Sequence, residues 1–195
     1  MDPRTLHDED VQPEVLASEQ VFTGAIWNVR SETVLYGDGQ MERQYVEHPG
    51  AAAIVALDAD DRVVLIQQYR HPIRSRDWEI PAGLLDVAGE DPAAAAAREL
   101  AEEVDLIAAR WQLLSAVHTS PGGNDEVVHL FLARDLSPTD DAFEREDEEA
   151  DIQVERVAID EVIAAILDGR VRNGILITGV LMTAEVLRRE ADTAG

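Results

Sequence analysis

The chain has no cysteine and no lysine: all 16 of its basic residues are arginine. Without cysteine there is no thiol nucleophile, zinc finger, iron–sulfur ligation or disulfide framework. Without lysine there is no Schiff base and no phosphate-binding lysine of the P-loop or kinase kind. Positive charge is scarce altogether. Sixteen basic residues face 40 acidic ones, a formal net charge of −24. So acidic a chain excludes wrapping nucleic acid or adhering to an anionic membrane, since both need a basic surface. Long hydrophobic runs are missing too. The longest mostly apolar uncharged stretch, Asn173–Ala184, has twelve residues. A membrane span needs roughly 18 or more. The opening MDPRTLHDED is acidic and lacks the apolar core of a secretory signal. These absences fit a cytoplasmic protein.

What remains is the composition of an ordinary globular domain, 195 residues with 46% hydrophobic content. Residues 1–15 are polar. A strand pattern runs from Val21 to Tyr36 and ends at the turn Gly37-Asp38-Gly39, followed by a second from Met41 to Glu47. AAAIVALD (51–58) and RVVLIQQYR (62–70) flank an aspartate-rich turn and read as a hairpin. The clearest helix spans 91–104, with Asp91 as N-cap, Pro92 in the first turn and five alanines. Strands are expected over 111–119 and 126–133, joined by SPGGND (120–125). After the acid-dense stretch 137–151 come a strand to Val157 and helices over 160–167 and 174–189, the first stopped by Gly169. Strands, helix, strands, helices: the class is α+β with a mixed sheet.

The helix at 91–104 carries the chemistry. On a helical wheel Glu99, Glu102 and Glu103 fall on one stripe. Ala93, Ala96, Ala97, Leu100 and Val104 form the adjacent apolar stripe. Three like charges on one turn repel, and a hard divalent cation with oxygen ligands neutralises them well. The bland alternative, a solvated acidic face, is common in a chain this acidic.

The surrounding segment, GLLDVAGEDPAAAAARELAEEVDL (83–106), resembles the Nudix box. The matched positions are Gly83, Glu90, Arg98, Glu99, Leu100, Glu102, Glu103 and Leu106. Two departures stand out. Gly83 and Glu90 are separated by one residue more than usual, and Asp105 replaces the glycine that ends the helix in a left-handed conformation. Aspartate tolerates that conformation better than most residues, so a slightly strained cap with intact metal chemistry is expected.

The resemblance implies a Nudix-type α/β/α sandwich with a mixed sheet and an N-terminal antiparallel β extension. It divides the chain into residues 1–48 and a hydrolase domain at 49–195. It implies Mg²⁺ (or Mn²⁺) held by Glu99, Glu102, Glu103 and the Ala82 carbonyl, with Gly83, Glu90 and Arg98 structural. Beyond the box the chain looks closest to the bacterial ADP-ribose pyrophosphatases, of actinobacterial type. Pro121 in SPGG lies fifteen residues past the box, Glu126 matches a glutamate of their substrate pocket, and DEEAD (147–151) matches a loop bearing their catalytic glutamate. That residue would be Glu148 or Glu149, and the EEAD run favours Glu149. Arg70 in QQYRHP and Arg43 match phosphate-contacting arginines, with surface ion pairs as the alternative. Trp27 or the neighbouring Ile26 is a candidate cover for the adenine, but an aromatic in a strand reads more simply as core. His7, His48, His71, His118 and His129 have no zinc-ligand spacing.

The expected reaction is therefore hydrolysis of ADP-ribose to AMP and ribose 5-phosphate by a homodimer whose N-terminal strands cross to the partner. The alternatives are another nucleoside diphosphate derivative (a nucleotide sugar, NADH or a dinucleoside polyphosphate) and a non-catalytic nucleotide sensor.

Overall fold

The computed structural model describes residues 6–140 and 152–194. Two compact units emerge: one runs to His48 and includes Ser120–Asp125, and the other is Pro49–Thr119 with Glu126 onward. Among the described residues no helix is long and apolar enough to cross a membrane.

The first unit is a three-stranded antiparallel sheet, β1 (Val15–Thr23), β2 (Asn28–Tyr36) and β3 (Gly39–Glu47), in that spatial order. The single strand expected from Val21 to Tyr36 is corrected here. The chain turns where the Gly24 amide donates to the Trp27 carbonyl at 3.1 Å, and the two arms pair as β1 and β2. Trp27 sits at this turn, 42% exposed, and is not a core aromatic in the single chain. All nine residues of β1 are exposed. Ser120–Asp125, which the sequence placed within 49–195, groups with this unit. The Val46 amide donates to Gly123 O, and the Asp125 amide returns a bond to Val46 O.

The second unit holds two more sheets. In the first, β4 (Ala51–Ala56) runs antiparallel to β7 (Ala82–Leu84) and parallel to β9 (Val127–Pro138), and β9 pairs antiparallel with β8 (Leu106–His118). The second sheet is β10 (Gln153–Ala158), β5 (Arg62–Arg70) and β6 (Ser75–Glu79), all antiparallel. The expected hairpin of 51–58 with 62–70 is therefore corrected. The two runs do turn back on each other, where Leu57 bridges Val63 and the Asp58 amide donates to Arg62 O at 2.9 Å, but β4 and β5 then enter different sheets. The reason lies in β4 itself. All six of its residues are buried, as a continuous apolar run tends to be when it takes a parallel partner and is covered on both faces.

Strand alternation then builds two cores. Ala51, Ala53, Val55 and Leu57 pack with Ile159 and Val162 of α2 (Ile159–Leu167) and Leu176 and Val180 of α3 (Gly174–Ala194). Ala52, Ile54 and Ala56 pack with Ala95, Ala96, Leu100 and Val104 of α1 (Pro92–Val104). The result is the helix–sheet–helix sandwich with a mixed sheet. Gly179 explains how α3 comes so near. A Cβ there would stand 2.8 Å from Val55 Cγ2 and 3.2 Å from Ile80 Cδ1.

Candidate active site

Helix α1 is specified locally at both ends. The Asp91 side chain accepts from the Ala93 amide at 2.9 Å, and Pro92 occupies the first turn. At the other end Asp105 adopts φ 55°, ψ 38°, and its amide donates to Ala101 O and Leu100 O. This is the left-handed cap the sequence led us to expect.

The rotation of α1 differs from the wheel. Ala97 is exposed and Ala95 buried, while Glu99 and Glu103 are only 9% and 4% exposed. The buried face is turned toward the carboxylates. Alanines on both sides of a helix fix its rotation weakly; Leu100 and Val104 anchor it, and β7 offers polar partners to the acids. Glu103 Oε2 accepts from the Ala82 amide at 2.9 Å. A Cβ on Gly83 would overlap the Glu99 carboxylate. The box glycine is thus a space requirement: β7 must let Glu99 lie across its backbone.

Arg98 binds the remaining acids. Its Nε and Nη2 donate to the two oxygens of Glu90 at 3.2 and 3.0 Å. Its Nη1 donates to Glu99 Oε1 at 2.6 Å and to Glu102 Oε2 at 3.0 Å. The bonds to Glu90 first, then the charge of Glu99, raise the Arg98 pKa above the ordinary arginine value. Glu90 and Arg98, the two side chains the resemblance made structural, are joined in this knot.

A cleft of about 360 Å³ lies over the cluster, lined by Gln68, Arg70, Ala82, Gly83, Leu84, Asp86, Arg98, Glu99, Glu102 and Glu103. The predicted metal ligands and Arg70 therefore share one cavity. Arg70 is held there by a residue the sequence did not single out. Its Nε and Nη2 donate to Glu79 Oε1 and Oε2 at 3.0 and 2.8 Å. Gln68 Nε2 also donates to Glu79 Oε2, at 3.3 Å.

None of the other predicted residues is among the described side chains that line the cleft. Glu126 accepts from the Thr119 hydroxyl at the base of the 120–125 loop and is not among the cleft-lining side chains. Arg43 is an exposed residue of β3 in the first unit, and its Nη1 donates to Glu42 O at 2.8 Å. Glu148 and Glu149 lie outside the described residues. Glu79, Gln68 and Asp86 were missed. A signal existed for two of them: Gln68 and Arg70, two apart on a strand, project to one face, and a charged residue in the apolar run Trp78-Glu79-Ile80 needs a partner.

Among the described residues no three carboxylates or imidazoles are gathered as a ready cation cage. The acids are satisfied by Arg98 and by the β7 backbone instead. The donor set nevertheless fits a hard divalent ion: three carboxylates beside the β7 backbone, with no soft ligand among the described cleft-lining residues. Glu102 is the most accessible of the three, with 38% of its side chain exposed.

A family model for the NUDIX domain matches residues 47–177. The chain is 46% identical over 169 residues to an ADP-ribose pyrophosphatase of Mycobacterium tuberculosis, covering 86% of this chain and 81% of that protein. It is 34% identical to an ADP-ribose pyrophosphatase of Bacillus subtilis, over 80% of this chain and 83% of that one. A methanol dehydrogenase activator of Bacillus methanolicus is 32% identical over 92% of this chain and 97% of its own. A solved structure described as an ADP compounds hydrolase superposes with a TM-score of 0.75 at 22% identity, over 94% of this chain and 98% of that one, a likeness of fold. Family model, close relatives and the carboxylate helix against β7 agree: the chain belongs to the Nudix family and is a Nudix pyrophosphatase.

Proposed function

We propose that the chain hydrolyses ADP-ribose to AMP and ribose 5-phosphate with a divalent cation, Mg²⁺ or Mn²⁺. The observation that carries this reading is the cleft that brings Glu99, Glu102 and Glu103 together with Arg70. Its specificity rests on likeness to the ADP-ribose pyrophosphatases. Glu99, Glu102, Glu103 and the Ala82 carbonyl hold the cation, which when bound neutralises phosphate charge and lowers the pKa of a bound water.

The protein's own groups do the rest. Arg70 and Arg43 bind the diphosphate oxygens. Lysine is absent, so arginine supplies every fixed side-chain cation for this task. Glu126 contacts the substrate. Glu149, or its neighbour Glu148, accepts the proton of the attacking water, because glutamates committed to a cation are poor bases. Gly83, Glu90 and Arg98 keep the carboxylates in place. We assign the active form as a cytoplasmic homodimer whose N-terminal strands exchange. The wholly exposed β1, with Val21 and Phe22 about half exposed, supports a covered sheet in the dimer.

The test is AMP release from ADP-ribose by the wild type and by Glu103→Gln. A loss of kcat of more than about tenfold is expected, and a smaller loss would sink the ligand assignment. A second reading, a nucleotide sugar as substrate, is favoured by a GDP-mannose pyrophosphatase of Yersinia enterocolitica, 33% identical over 69% of this chain. Assaying both substrates side by side decides between them.

A further inference from the structure

The residue that fixes Arg70 has no assigned part in the reaction. Glu79 ends β6, is 6% exposed and engages Arg70 through both oxygens. Gln68, 5% exposed, donates to the same carboxylate. Arg70 itself has 43% of its side chain exposed, at the cleft. The pair is thus asymmetric, with its acid inside and its base at the substrate cavity.

That asymmetry has a physical consequence. A buried carboxylate is strongly unfavourable unless paired, so Glu79 demands the guanidinium. An exposed arginine otherwise samples many rotamers, and ordering it on binding weakens the contact it makes. Two parallel bonds from a buried acceptor remove that freedom in advance. The anchor is also tied to the carboxylate helix. Three residues after Glu79, the Ala82 amide bonds Glu103, and Gly83 passes under Glu99. Between them, Pro81 O accepts from the Ile54 amide at 2.8 Å, which fastens this segment to the buried strand β4.

We infer that Glu79 is a positioning residue: it holds the Arg70 guanidinium at a fixed distance from the acidic cluster so that both ends of the diphosphate are met at once. Gln68 keeps the Glu79 carboxylate oriented for that bond. The inference rests on the reading of Arg70 as a phosphate contact, and a double-mutant cycle separates the two.

Glu79→Gln, Arg70→Ala and the double variant would be assayed for ADP-ribose hydrolysis at saturating Mg²⁺, with thermal melts alongside. Glu79→Gln is expected to lower kcat/KM about 10–100-fold, the scale of a misplaced binding group. In the Arg70→Ala background the same change is expected to have less than about a twofold effect. An equal loss in both backgrounds, or no loss in the wild type, overturns the positioning role while leaving Arg70 a phosphate contact. If Arg70→Ala alone is as active as wild type, the phosphate-contact reading falls and the inference goes with it. Should Glu79→Gln lose its cooperative melt, Glu79→Asp, which keeps the charge and shortens the reach, completes the cycle with the same expectations.

Discussion

Glu99 and Glu103 are buried acids in a chain with acid to spare, and their surroundings explain why burial is tolerated. Each meets a donor fixed by the fold: Arg98 Nη1 for Glu99 and the Ala82 amide for Glu103. The geometry predicts a sharp effect at Gly83. A methyl group there would overlap the Glu99 carboxylate, so Gly83→Ala must move either β7 or Glu99. ADP-ribose hydrolysis should fall about 10–100-fold while the chain still melts cooperatively; near-wild-type activity would contradict the packing described. Thr183 is the converse case. It is fully buried, and its hydroxyl has no hydrogen-bond partner among the described residues. An unsatisfied buried polar group costs roughly 1–3 kcal/mol. Thr183→Val keeps the shape and removes the hydroxyl, so calorimetry should show a Tm higher by a few degrees, at about 2–4 °C per kcal/mol for a chain of this size. The box acids were legible in the sequence because their spacing repeats with the helix. That Glu79 needs a partner was legible as well, but the identity of the partner was not, because it is set by the register of β5 against β6, in which Glu79 faces Ile66. That register depends on the 3-10 turn His71–Ile73 and on Arg74 at φ 50°, which neither residue announces.

At the scale of elements, α1 tolerates an aspartate where its cap favours glycine. Left-handed backbone costs a non-glycine residue about 1–2 kcal/mol, less for aspartate. Asp105→Gly should therefore raise the Tm by a degree or more and leave kcat unchanged; a lower Tm would mean that the Asp105 side chain contributes more than the strain costs. The last helix carries a titration signature. Bonds from Arg188 and then Arg189 lower the Glu185 pKa from 4.5 to about 2. Below pH 4.5 the unfolded chain takes up this proton while the folded chain resists it. The stabilisation is therefore complete above about pH 4.5 and is lost as pH falls toward about 2. Melts of Glu185→Gln and wild type should differ at pH 6 and converge as the pH is lowered through that window. A gap independent of pH would exclude these ion pairs as its cause. Elements with local signals, such as α1 with its N-cap and alanines, were readable in the sequence. The pairing of β4 was not, since its parallel partner β9 lies more than seventy residues along the chain and no local pattern separates a hairpin arm from a central strand.

For the whole molecule the charge of −24 is the dominant fact, and salt is its probe. Two effects compete. Contact pairs such as Arg134 with Glu190, at 2.8 Å, stabilise and are weakened by salt. Repulsion among the unmatched acids destabilises and is weakened as well. Distance decides between them. Two charges 10 Å apart in water repel by about 0.4 kcal/mol, and 24 excess charges on one small chain make many such pairs. The screening length falls from about 30 Å at 10 mM salt to about 8 Å at 150 mM. Over that range the long-range repulsions are removed while pairs at hydrogen-bond distance keep most of their attraction. The Tm should therefore rise with NaCl between 10 and 150 mM (roughly the interval in which the screening length crosses the spacing of surface charges) and then flatten. A Tm that falls steadily over the same interval would mean that the ion pairs outweigh the net charge. The same screening bears on the substrate. A diphosphate approaching this surface is repelled at long range and attracted only at close range, by the arginines of its site and by a bound divalent cation. At fixed Mg²⁺, kcat/KM for ADP-ribose should accordingly rise with the first increments of NaCl, the reverse of the behaviour of an enzyme that steers an anion with a basic funnel.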